Sequence, residues 1–245
     1  MSYELPPLTT YDVDLVVPAT LQGNTTEERI RRRLTVTEPY VVRQTIEQLH
    51  ERGVNPALLA ASSPHDDYFL LMFGCAFRPD PDGDSVPFKD AHIGIRLESP
   101  GGGRQPVALA MSPDTASAAS GNSFRIAVSL PLLGVAEPSV EYAGDGTREE
   151  QHTTAYGLGS SNPEWLLREL PGHPLTGVWL TVAVCAPTGS PVVAEVIVAA
   201  SLRRMKVLRS RAELPPRLHT IDLTSIAQPL PGGPSGALPH GAGGQ

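Results

Sequence analysis

The chain has 245 residues, 23 Gly, 25 Pro, a 40% hydrophobic share and a formal net charge of −7. That length can bury a sizeable core and suits one all-β domain with embellishments, while Gly and Pro at about a fifth of the chain, against a usual share of roughly 12%, favour many short elements over long helices. A net negative body argues against sequence-independent binding to nucleic acid, which draws on phosphate neutralisation by clustered Lys and Arg.

The charge is unevenly spread. Residues 1–200 carry 13 basic and 24 acidic side chains, and residues 201–245 carry six basic and two acidic, so the body stands at −11 and the end at +4. Lys89 and Lys206 are the only lysines among 19 basic residues, a bias expected of a GC-rich, bacterial genome. The start "MSYELPPLTTYDVDLVV" lacks a basic segment followed by an apolar one, and no run of 18 apolar residues occurs, so the expectation is a cytoplasmic protein that does not engage a membrane. Cys75 and Cys185 both fall in apolar, strand-like runs. Two such cysteines exclude a disulfide scaffold or a zinc site of several thiolates and read as reduced core residues.

Taken in chain order, residues 24–37 are ambiguous: Asn24 with Glu27 resembles a helical capping pair, whereas "RLTVT" prefers a strand. In "TEPYVVRQTIEQLHERG" a helix is predicted, with Thr37 as N-cap, Pro39 in the first turn, Val42, Ile46 and Leu49 on one face, and Gly53 at the end. Asn55 and Pro56 open a second short helix, giving a helical insert over about 38–62. "YFLLMFGCAF", 68–77, is apolar on both faces and reads as an inner strand. "AHIGIRLES" alternates, with Ile93, Ile95 and Leu97 on one face, and so does "SFRIAVSL", with Phe124, Ile126, Val128 and Leu130. "SNPEWLLREL" reads as a third helix, capped by Ser161 or Asn162 and stopped by Pro171, that packs Trp165 over a sheet edge. "GVWLTVAVCA" and "VVAEVIVAAS", both apolar on two faces, flank "PTGS", where Gly189 can supply a positive φ for a hairpin. From Pro229 the tail has ten Pro or Gly in seventeen residues and no charged side chain, so disorder is expected over 229–245. The fold class expected is mainly β: an antiparallel β-sandwich with a few short helices inserted, one domain over 1–228, its two sheets drawn from residues 68–142 and 151–208.

Three features could carry chemistry. In "FRPDPDGDSVPFKDA" the alternate carboxylates Asp80, Asp82 and Asp84 match the first, third and fifth ligand positions of a calcium loop. Beyond them the match decays: Ser85 stands where the turn glycine belongs and Ala91 where a bidentate Glu should be. A hairpin connection accounts for every residue, since Asp82–Gly83 is a strong turn pair between prolines. Any cation this loop holds should be weakly bound. "SSPHDDY", 62–68, brings Ser, His and Asp together, but adjacency in sequence is no catalytic triad. No nucleophile elbow or phosphate-binding glycine loop accompanies it. Finally, Arg203, Arg204, Lys206, Arg209 and Arg211 form a basic run that suits either an acidic partner surface, in a neighbouring copy for instance, or a solvated edge strand. "RIRRRL", 29–34, is a second small cluster, partly offset by Glu27 and Glu28.

These residues point to a non-enzymatic module that needs no cofactor and binds or assembles with other proteins or with itself. A small-molecule or carbohydrate-binding sandwich, weakly assisted by calcium at Asp80, Asp82 and Asp84, is the alternative. A hydrolase built in space around His65, Asp66 and Asp67 is the third. No motif identifies a family.

Overall fold

A computed structural model describes residues 3–4, 7–17, 28–63, 65–78, 87–113, 128–129, 152–169, 175–202 and 209–228. The Asp80, Asp82 and Asp84 loop, Arg203, Arg204, Lys206 and the 229–245 tail lie outside these residues. The same holds for most of the "SFRIAVSL" segment.

The chain is mainly β. Ten strands follow one another in a single antiparallel sheet that nearly closes into a barrel. In spatial order they are β7 (Val107–Ser112), β11 (Gly177–Ala186), β5 (Asp67–Phe77), β3 (Glu28–Thr37), β2 (Thr10–Val17), β13 (Arg209–Ala212), β12 (Val193–Leu202), β6 (Phe88–Glu98), β10 (Glu164–Arg168) and β9 (His152–Tyr156). Two strands pair alongside this path: β4 (Tyr40–Gln44) on β5, and β14 (Thr220–Asp222) on β12. β1 (Tyr3–Glu4) and β8 (Val128–Ser129) form a separate parallel pair. The helices are short: α1 (Ile46–Glu51), α2 (Pro56–Ala60), α3 (Pro216–His219) and α4 (Leu223–Ile226).

The two-sheet sandwich is thereby corrected to one continuous sheet. Strands from the two halves interleave, with β5 beside β11 and β6 beside β12, so neither half makes a sheet of its own. The "PTGS" turn is present, with Gly189 at φ 74° and the Ser190 amide donating to the Pro187 carbonyl. Its strands do not pair. Both edges of β11 are taken by β5 and β7, and both edges of β12 by β6 and β13, so the turn carries the chain from one wall of the barrel to the other.

Two predicted helices are strands in whole or in part. Residues 40–44 form β4, and the helix begins only after Thr45, whose hydroxyl accepts from the Gln48 amide while the Gln48 side chain caps the Thr45 amide. Val41 and Val42 are both buried, on opposite faces, a demand that a strand meets and a one-sided helix does not. In "EWLLR" the inward residues are Trp165 and Leu167, two apart, and the segment is paired on both sides, by β6 and β9. Ladder bonds on two edges override a local helical preference. The second helix starts as expected, with the Asn55 side chain accepting from the Ala57 amide and Pro56 leading. Of the ambiguous segment, residues 28–37 are strand β3.

The barrel is filled by Leu15, Leu34, Phe69, Phe73, Ile93, Trp165, Val182 and their neighbours. A second core lies on the outside of one wall. There Leu70 and Met72 of β5, Val42 of β4 and Ala183 and Cys185 of β11 pack under Leu49 of α1 and Leu59 of α2. At Gly74 an added Cβ would meet Thr37 and the Trp179 ring at 3.1 and 3.2 Å, so this wall admits no side chain there without displacement. Among the described residues, no helix is long and apolar enough to cross a membrane.

The seam lies between β7 and β9. The turn joining β9 to β10 pins one end of it: the Ala108 amide donates to the Ser160 carbonyl at 2.9 Å, the Gly159 amide to the Ala108 carbonyl at 2.7 Å, and the Ser161 hydroxyl to the Pro106 carbonyl at 2.6 Å. Gly157 permits the turn. Its φ is 82°, and a Cβ there would lie 2.3 Å from the Asn162 carbonyl oxygen.

Candidate functional site

The "SSPHDDY" loop folds into a polar knot at the margin of the second core. Asp66, whose side chain is 4% exposed, pairs with the Arg104 guanidinium and accepts from the Ser63 amide at 2.8 Å and the Cys185 thiol at 3.2 Å. The Tyr68 hydroxyl donates toward Ser62 Oγ and the Ser63 carbonyl, while Ser62 Oγ itself donates to the Leu59 carbonyl. Burial pushes the Tyr68 hydroxyl above its usual range, with the Ser62 bond opposing. Burial, then the Asp66 hydrogen bond and charge, hold the Cys185 thiol up at about 12, and burial alone does the same for Cys75. Neither is a nucleophile at neutral pH.

Of the three residues offered for a hydrolase, Asp66 and Asp67 hold the loop in place. Asp66 ties the loop to Arg104 and β11; Asp67 accepts from the Gly189 amide at 3.1 Å and faces Arg43 at 3.6 Å. His65 is exposed, and the Ser63 hydroxyl accepts from its backbone amide. The contacts of Asp66 and Asp67 close the loop against β11 and the turn at Gly189. Among the described residues, no group of three or more His, Cys, Asp or Glu could hold a metal.

The outer face of the opposite wall, formed by β9, β10, β6 and β12, differs in kind. Cross-strand register places Tyr156, Glu164, Gly94 and Ile197 in one outward row. Tyr156 is 47% and Ile197 37% exposed, and a Cβ at Gly94 would meet nothing within 4 Å. The next row holds Thr154, Leu166, His92, Ala199 and Arg211, with Leu166 and Ala199 half-buried. Here Gly94 leaves a gap between Glu164 and the exposed Ile197, with the exposed Tyr156 beyond Glu164. Trp179 is half-buried against the second core, whereas the face of Val193 and Ile197 points outward.

Of the basic run, Arg211 is exposed on β13, and Arg209 pairs through its backbone with Ser201. The corner where β13, β2 and β3 meet also carries Arg29, Arg31 and Arg32, all exposed. Arg29 is bidentate on Glu213, at 2.8 and 3.2 Å. The β2–β3 ladder shifts register between Val13 and Leu15, and within this bulge Arg32 takes φ 55°, a left-handed conformation costing about 1 kcal/mol or more for a residue with a Cβ. The bulge exposes two successive arginines, where a regular strand would turn the second one inward. Arg33, next along, is buried, with its guanidinium over the Phe88 ring and Nε donating to the Arg78 carbonyl. The sequence marked "RIRRRL" as basic but not as a bulge, because nothing in it is a glycine.

A third surface feature is an open cleft of about 420 Å³ between α1 and α2, lined by Ile46, Glu47, His50, Glu51, Pro56, Leu59 and Ala60. The Thr45 hydroxyl and a first-turn amide hold the Glu47 carboxyl below its usual range. Composition alone pointed to none of this; the capping of α1 and the α1–α2 turn create the cleft. No protein-family model matches the chain, and no curated protein matches it either.

Proposed function

We propose that the chain is a non-enzymatic module that assembles with other protein chains, copies of itself included, through the outer face of β9, β10, β6 and β12. One observation carries this reading: on a barrel whose opposite wall is covered by a second core, this wall presents Tyr156, Glu164, Gly94 and Ile197 uncovered in one row. Exposed apolar groups on an uncovered, glycine-gapped surface favour contact with another protein over a small ligand, which requires a concave pocket. The charge imbalance between body and C-terminal end supports a protein partner over nucleic acid.

Light scattering over a range of concentrations at about 50 mM and about 500 mM salt tests the reading. Mass above the 26.1 kDa monomer that survives the higher salt supports apolar association. A monomer at every concentration and salt contradicts it.

A further inference from the structure

We propose that a second contact joins copies of this chain head to tail, the α1–α2 cleft of one copy receiving the arginine bulge of β3 and the adjoining Arg211 of the next. It rests on the reading of the chain as an assembling module but not on the sheet face.

The cleft is built as an anion-rimmed apolar slot. Glu47 and Glu51 sit one turn apart on α1, and no Lys or Arg lines the walls; Ile46 and Leu59, which belong to the second core, supply the apolar floor. The rim carries two negative charges, with His50 between them. Its size falls within the roughly 300–1,000 Å³ of ligand sites, and its chemistry suits a long aliphatic stem ending in a cation, which is an arginine side chain.

The complementary surface is on the same chain. At the β3–β2–β13 corner Arg29, Arg31, Arg32 and Arg211 are all exposed, and of these Arg29 is held by Glu213. Register sets Arg29 and Arg211 on either side of Val16, hence roughly 10 Å apart across β2. The bulge carries Arg31 and Arg32 outward together, and its left-handed residue is an arginine where glycine would be unstrained. The cleft lies over the outer face of β5 and the arginine corner on β2, β3 and β13, so the two surfaces occupy different faces of the barrel. Unlike patches on different faces make a heterologous contact, which propagates into a ring or a chain of copies.

Two double charge reversals test it, Glu47→Lys with Glu51→Lys and Arg31→Glu with Arg32→Glu, the latter pair lying away from the outer face of β12, each checked for an unchanged melting temperature. At about 50 mM salt wild type is expected to self-associate, each double variant alone to weaken association by about tenfold or more, and an equimolar mixture of the two to recover the wild-type mass. At about 500 mM salt, where screening shortens electrostatic reach, the differences between variants and wild type disappear. Variants that associate like wild type at low salt, or a mixture that fails to recover, overturn the head-to-tail contact while leaving the sheet-face reading intact. Low-salt association with mixture rescue, but none at high salt, sustains this contact and sinks the sheet-face reading.

Discussion

Two walls of one barrel carry the same apolar sequence signature and bury it differently. On β5 and β11 both faces are apolar because both are cores, the inner one filling the barrel and the outer one closed over by β4, α1 and α2. On β12 the inward residues Ala194, Val196, Val198 and Ala200 are buried as on β5, but the outward Ile197 meets solvent and the outward Val193 and Ala199 are only half-buried. A strand apolar on two faces thus has two meanings, a doubly covered inner strand or a surface kept for a partner. What separates them is whether another part of the chain lies on top.

The sharpest way to break this comparison is to shorten one outward side chain on each wall. Leu70→Ala, beneath the helices, is expected to cost about 2–5 kcal/mol, whereas Ile197→Ala, on the open face, is expected to stay within about 0.5 kcal/mol. Chemical denaturation of both variants at a concentration that keeps the chain monomeric checks this. Equal losses would mean that the open wall is covered after all.

Next in size is the turn that pins the seam. Gly157→Ala puts a methyl group 2.3 Å from the Asn162 carbonyl oxygen at a left-handed φ, and an expected loss of about 2 kcal/mol or more follows. Hydrogen exchange should show the amides of Ala108 and Gly159 losing protection before those of β5. Uniform loss across the sheet would show that the seam is not a separate unit.

The smallest effect concerns the thiols. Because burial raises both folded-state values to about 12, their contribution to stability is fully present below the unfolded-state value near 9 and is lost as pH rises toward 12. A thiol reagent at pH 8 should leave native protein unmodified and label two groups per chain in denaturant. Fast labelling of Cys185 in native protein would refute the Asp66 knot.

The strand segments were legible in "YFLLMFGCAF", "AHIGIRLES" and the "GVWLTVAVCA" to "VVAEVIVAAS" region because period-two alternation and β-branched runs are local signals. Their partners were not legible. The "PTGS" turn announces a reversal of direction, but whether its flanking strands pair depends on which edges β5, β7, β6 and β13 have already taken. Trp165 and Leu167 misled for a related reason: "PEWLLREL" satisfies helix start signals locally, and only the ladders from β6 and β9 make it a strand. Of the candidate sites, the basic character of 29–34 was readable, but the left-handed Arg32 that shapes it was not, since a non-glycine bulge leaves no mark in composition. The Asp66 knot joins residues more than a hundred positions apart through Cys185, a distance no local pattern spans.

The account stands or falls on the open wall. Sedimentation of wild type and of Ile197→Glu at about 500 mM salt, where charge-driven contacts are screened, measures that wall alone. We predict that wild-type mass climbs above 26.1 kDa with concentration while Ile197→Glu remains a monomer with an unchanged melting temperature. Identical sedimentation of the two proteins would contradict it.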